Sequence, residues 1–420
     1  MMKQNKYFWT SIGLYINFFV QGIETIIIAQ NINMFARMRG TDTAGVMEII
    51  AAVGIGKVVV LLFAGVLADK LGRKPLVYIG MIGYILFFGG LLLNTDLRLA
   101  YVVAFTAGAA TSFLDAATYP ALMEIYPENT SSASVVVKGF ISAPGMVVPI
   151  FIGLLNNKGF WPGWSLAIPM VIVMFNCIFL LKARFPDQDM RKLRSDKSAK
   201  DMDKAGKGIT FSAEDESEFA QKPSYKVEGL ILMLYSFCCM ATFYLFQQVI
   251  TLYGVQVIGM SELASRALLT YYTAGSFIAV FLSAVMMTRG VRDMAIMVVY
   301  GFISSATLII VYLFPNQVVV TIGAFIIGFT VAGGVLQTGI AMLCRFFPYG
   351  KGKSTSLYDI SFSLATCVMP IIASHMMKTD FTKVMLLDAV TALGGFVLML
   401  LLSFRYKKVF GINNIFSRVF

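Results

Sequence analysis

Histidine occurs once in this 420-residue chain, at position 375, and cysteine five times, at Cys177, Cys238, Cys239, Cys344 and Cys367. The cysteines all fall in apolar runs without metal-ligand spacing, so they read as small packing residues and no metal site or disulfide framework is expected. With one histidine near the end of an apolar run, no His-based nucleophile–base pair can be assembled. The phosphate-binding pattern Gly-x-x-x-x-Gly-Lys-Ser/Thr is absent: PYGKGKST (348–355) contains Gly-Lys-Ser but lacks the first glycine at the required spacing. ATP is therefore not expected to act directly, no cofactor is expected, and the chain does not read as an enzyme. Charge is scarce as well. Only 14% of residues are charged, against about 25% in a soluble domain.

What fills the chain instead is apolar: 58% of residues, with a mean hydropathy of +0.76. Runs of about 20 apolar residues recur along its length, enough for a helix to cross ~30 Å of hydrocarbon, and the ~10-residue alternation of a membrane barrel is missing. The expected fold is an all-α membrane protein with twelve spans, near 8–34, 43–69, 75–94, 98–126, 132–156, 162–183, 227–254, 264–287, 294–314, 317–345, 354–377 and 381–404. The polar stretch 185–226 cannot bury enough apolar area to fold alone and reads as a cytoplasmic linker. It divides residues 1–184, a six-helix bundle, from a second bundle at 227–404, with a cytoplasmic tail at 405–420. The net charge of +11 is explained by Lys and Arg gathering on the side that holds both termini, which marks that side as cytoplasmic rather than pointing to nucleic acid. The first span follows a short basic lead without a small-residue cleavage site and reads as an anchor.

The halves resemble one another. MEIYPENTSSASVVVKGFISAPGMVVP (123–149) and CRFFPYGKGKSTSLYDISFSLATCVMP (344–370) each run from a proline to a second one 22 residues on, placing Lys138 opposite Asp359 and Glu124 opposite Arg345. Ionisable residues inside spans are expensive and mark function by default. Lys57 lies twelve residues above Asp69, about 18 Å at 1.5 Å per residue, and Asp115 is at a similar depth. Glu24 lies somewhat nearer the outside. Two readings follow. Lys57 attracts an anionic solute while Asp115 or Glu24 takes a proton, or Lys57 and one acid form a permanent pair that fixes helix register. Asn17, Gln21, Thr111, Gln247, Gln248, Tyr271, Tyr272, Gln337 and Thr338 are further candidates to line a cavity, each equally readable as a packing hydrogen bonder. Lys138 and Asp359, about 9 Å inside the cytoplasmic end, read as gate residues. His375 reads as a tolerated interface residue.

The most specific stretch is GVLADKLGRK (65–74), between spans two and three. Its glycine, aspartate and arginine spacing is similar to the G-x-L-a-D-r-x-G-r-k signature of the major facilitator superfamily. That resemblance implies a cytoplasmic latch made of Gly65, Asp69, Gly72 and Arg73, with Asp69 facing the start of span eleven near Ser354–Ser356 and Arg73 paired to Glu124. It also implies a cavity lined by spans one and four, and rocker-switch transport of a small molecule by a monomer in the lipid of a bacterial inner membrane. The expected function is proton-coupled movement of a small organic anion. Drug or metabolite efflux is the first alternative, although the span-four arginine and the span-five G-P-x-x-G-G of such antiporters are missing. A sugar carrier and a non-transporting sensor or scaffold are the others.

Overall fold

The computed structural model describes residues 6–126, 130–188, 220–347 and 351–417, with side chains left out at 69, 130–135, 284, 288, 332–337 and 351–356. Apolar runs become helices because each backbone N–H and C=O must be satisfied within its own segment. In the first half these are α1 (Phe8–Gln30), α2 (Ile32–Arg39), α3 (Thr43–Leu71), α4 (Arg73–Leu93), α5 (Leu97–Ile125), α6 (Thr130–Asn157) and α7 (Trp164–Leu181). Short turn sequences set the boundaries. Asp42 and Asp96 cap α3 and α5 by accepting from Gly45 N (2.8 Å) and Leu99 N (3.0 Å). Gly72, at φ 98, makes the reversal from α3 to α4 that other residues rarely adopt.

The second half holds α8 (Leu230–Gln256), α9 (Glu262–Thr288), α10 (Asp293–Leu313), α11 (Gln317–Ile327), α12 (Leu336–Phe346), α13 (Lys351–Met377) and α14 (Thr382–Phe410). Among the described residues, eleven helices are long and apolar enough to cross a membrane. The tenth expected span is not one continuous α-helix: a π-helical segment, Gly328–Val335, joins α11 to α12. It begins at Gly328, where a Cβ would stand 1.8 Å from the Tyr272 carbonyl oxygen, so α9 packs backbone against backbone there. The last helix runs to Phe410 rather than stopping near 404. The ends of the expected linker are packed too: Phe185 is fully buried, and the Ala220 N–H donates to Val409 O at 2.8 Å.

The two halves pack by one rule. In the first, α3 lies against α5, α1 against α6 and α7, and α4 against α5 and α7; in the second, α9 lies against the α11–α12 unit, α8 against α13 and α14, and α10 against the same unit and α14. The halves meet along α3 with α13 and along α6 with α9, which are equivalent pairs exchanged between repeats. A buried ion pair ties the base of the second half together. Glu228, whose side chain is wholly buried, accepts from Arg405 Nε at 2.6 Å and from Ser224 N at 2.7 Å. Removing one partner of such a pair costs about 3–5 kcal/mol. Glu228→Ala is expected to lower the thermal unfolding midpoint of the detergent-solubilised protein by several degrees, with Glu228→Gln recovering part of it. An unchanged midpoint would show that the pair is dispensable.

Candidate substrate and proton site

Midway along the molecule, α1, α3, α5 and α13 bring four ionisable residues together. Glu24 of α1 is 4% exposed; its Oε1 has no hydrogen-bond partner among the described residues, and Thr25 Oγ1 approaches Oε2 only to 3.5 Å. Asp115 of α5 accepts from Gln21 Nε2 at 3.1 Å. Lys57 of α3 is half-buried, and its charge acts on Glu24, Asp115 and Asp359. Among the described residues, the Lys57 ammonium makes neither an ion pair nor a hydrogen bond. Its backbone is fixed instead, with Ser112 Oγ donating to Lys57 O at 2.8 Å. A half-buried ammonium facing carboxylates without a contact pair leaves room for a third charged group.

Asp359, expected at the gate, also comes close to the central group. Antiparallel α3 and α13 approach so closely at Gly54 that a Cβ there would meet the Thr366 and Cys367 backbone at 2.5 Å. Seven residues before Thr366, Asp359 therefore comes into electrostatic reach of Lys57 and Asp115. The cluster thus draws on both halves of the molecule. Lys138 of α6 stays apart, half-buried beside Cys239 of α8.

The other candidates separate by role. Asn17 accepts from Asn176 Nδ2 at 2.7 Å, a packing contact between α1 and α7. Thr111 is engaged with Tyr84 Oη at 3.0 Å inside the first half. Gln248 Nε2 donates to Thr25 O at 2.8 Å across the halves, while Gln247 is buried with Oε1 unpartnered among the described residues. Tyr272 is buried and donates to Phe243 O at 3.2 Å, whereas Tyr271 is 45% exposed on the stripe that holds Ile278 and Leu282. Tyr271 thus turns away from the packed interior because helix geometry sets it 100° from its neighbour. The Gln337 side chain lies outside the described residues. His375 is exposed, with Nδ1 2.8 Å from Ile371 O.

At the end of the bundle that carries the termini, Arg73 Nη2 stands 3.5 Å from Glu124 Oε1, and the Arg73 backbone N–H donates to Asp187 Oδ2 at 2.9 Å. The side chains of Asp69 and Ser354–Ser356 lie outside the described residues. Gly65, expected to permit close helix approach, has open space where a Cβ would be. At the opposite end the halves are joined. Gln30 Nε2 donates to Thr251 Oγ1 at 2.9 Å, Thr270 Oγ1 to Met146 O at 3.2 Å, and Lys378 Nζ to Glu48 Oε1 at 3.2 Å.

Residues 10–338 match the Major Facilitator Superfamily. The chain belongs to this family. It is 38% identical over 405 residues to the inner membrane transport protein YdiM of Escherichia coli K12, covering 96% of each chain. It is 33% identical over 415 residues to YdiN of the same organism, covering 97% of this chain and 94% of that one. The MFS-type transporter YfkL of Bacillus subtilis 168 is 34% identical over 404 residues, covering 96% of this chain and 98% of that one. A solved D-xylose–proton symporter shares the fold, with a TM-score of 0.72 at 12% identity over 93% of this chain and 97% of that one. Family membership makes this facilitator an integral membrane transporter and not an enzyme.

Four features of the facilitator escape a reading of its sequence. Tyr119, one turn along α5 from Asp115, acts electrostatically with both Asp115 and Asp359. Asp187 belongs to a stretch that reads as linker. Glu48 and Lys378 sit at the ends of α3 and α13, where charge is ordinary. Asp388 in α14 is fully buried with neither carboxylate oxygen partnered among the described residues; the rule that singles out Glu24 would have singled it out too.

Proposed function

We propose that this facilitator moves a small organic anion together with protons across the cytoplasmic membrane by alternating access. The observation that carries the reading is Lys57: a half-buried ammonium without a contact partner among the described residues, inside a set of carboxylates from both halves. Charge balance supplies the coupling. With Glu24, Asp115 and Asp359 all ionised, the cluster is net negative and repels an anion. Lys57 offsets only one of the three charges, so protonation of two acids brings the cluster to neutrality and leaves Lys57 to meet a carboxylate. Anion binding and proton uptake then favour one another.

With the termini cytoplasmic, the joined end of the bundle faces outward. The Arg73–Glu124 contact, with Asp69, would belong to the cytoplasmic latch. The relatives named inner membrane transport proteins support the location, and the neighbour named a D-xylose–proton symporter agrees with proton coupling.

The test is uptake into proteoliposomes under an acid-outside gradient, with labelled small carboxylates, sugars and cationic dyes. Carboxylate accumulation that collapses with the gradient is expected. Asp115→Asn or Glu24→Gln should retain exchange while weakening the dependence on external pH. Gradient-driven sugar uptake, dye expulsion, or a pH dependence untouched by both variants would overturn the proposal.

A further inference from the structure

The end of the molecule opposite the termini holds a cavity of about 560 Å³ at the corner of α1 and α2, bordered by Gln30, Asn31, Arg37, Asn156, Glu262 and Arg266. It is distinct from the central cluster, since Gln30 lies six residues beyond Glu24, about 9 Å along the helix. Its charged lining is two arginines against one glutamate.

Arg266 is the unusual member. It is 7% exposed, yet it begins α9 beside a polar opening. Its Nη1 donates to the Gln30 carbonyl and to Gln30 Oε1 (3.2 Å), across the junction of the halves. Its Nε has no acceptor among the described residues, and Nη2 lies 3.9 Å from Glu262 Oε2, beyond hydrogen-bond length, on a side chain that is 54% exposed. The Nε–Nη2 edge is the one with which a guanidinium grips a carboxylate through two parallel bonds. In this conformation Nε is desolvated and without an acceptor among the described residues and Nη2 faces only the half-exposed Glu262 carboxylate at 3.9 Å, while Nη1 holds α1 and α9 together.

We propose that this vestibule is a second anion site, in which a carboxylate docks on the Nε–Nη2 edge of Arg266 and loosens the Gln30 contact that closes the outer end. Only the choice of a carboxylate as ligand rests on the organic-anion reading of the central site. Binding and opening are linked because Arg266 is both the docking group and the clasp: an anion held better when the clasp is released shifts the molecule toward release.

Trp161 lies between Phe160 and Pro162 of the vestibule wall and meets Trp164 edge to face, their ring centroids 5.9 Å apart, so the emission of this pair reports on the vestibule. The experiment titrates the full-length protein in detergent with sodium propionate, using propanol and sodium chloride as controls. In Lys57→Ala protein, a saturable propionate-specific change in tryptophan emission is expected. Adding Arg266→Gln should weaken it about tenfold or more, as loss of a bidentate contact does, and Arg266→Lys should fall between, keeping charge without the fork. A response absent from Lys57→Ala protein overturns the vestibule site and leaves the central reading standing. A response that Arg266→Gln alone abolishes, and Lys57→Ala does not alter, supports the vestibule site, and the central reading is then judged by uptake in Lys57→Ala protein. A response unchanged in Lys57→Ala/Arg266→Gln protein overturns the vestibule site.

Discussion

Lys57→Ala is expected to abolish anion uptake while leaving the fold intact. The ammonium is the group whose charge reaches Glu24, Asp115 and Asp359 alike. Without it an incoming carboxylate meets acids alone. Truncating one partner of a desolvated charge pair costs about 2–5 kcal/mol, which is roughly 30-fold to several-thousand-fold in affinity. Lys57→Arg should keep partial uptake, because charge survives while length and shape change. Stability decides between the two readings of this lysine. If Lys57 served only to fix helix register, its removal would strand an acid and lower the unfolding midpoint, and adding Asp115→Asn would restore it. The geometry favours the other outcome, since the Lys57 side chain makes no contact pair among the described residues and its backbone is held by Ser112 at 2.8 Å. A midpoint within a degree or two of the parent, with uptake lost, is therefore expected. Stability lost and regained in the double variant, with uptake intact, would overturn it.

The apolar runs and turn residues were enough to place eleven continuous spans and the interrupted tenth one, because membrane-length helices and their ends are local properties of the chain. The interruption at Gly328 was not legible, nor was the close approach there to the backbone of Tyr272 on another helix. The site divides the same way. Depth along a helix brought out Glu24, Lys57 and Asp115, for it is counted at 1.5 Å per residue. Which acids share a lysine depends on how α3 meets α13, so the reach between Asp359 and Lys57 was not legible. Azimuth around a helix was equally hidden, so Tyr271 and Tyr272 were indistinguishable until α9 was packed. Glu48 and Lys378 carry no local signal at all: their pairing at 3.2 Å exists only because two helix ends from different halves coincide.

Gly108→Ala is expected to destabilise the protein strongly, although Gly→Ala inside a helix ordinarily stabilises by about 0.5–1 kcal/mol. A Cβ at Gly108 would stand 1.8 Å from Val53 O and 2.6 Å from Lys57 N, and one at Gly56 would stand 2.1 Å from Phe105 O. The two glycines let α3 and α5 touch backbone to backbone, as small residues do where membrane helices pack most closely. Ordinary contact needs about 3.5 Å or more, so α5 must move away from α3 by more than an ångström. Overpacking of this kind costs about 1–3 kcal/mol or more. The displacement falls at the site itself, because these helices carry Lys57 and Asp115. A lowered unfolding midpoint, poor recovery of monodisperse protein and lost uptake should appear together, and Gly108→Leu should not yield folded protein. Gly65→Ala in α3, the helix against which Gly108 packs, is the control: nothing lies within 4 Å of its Cβ position, so the helix-propensity gain should survive and the midpoint should hold or rise. If both substitutions shift the midpoint alike, helix propensity and not the close approach of α3 and α5 governs these positions.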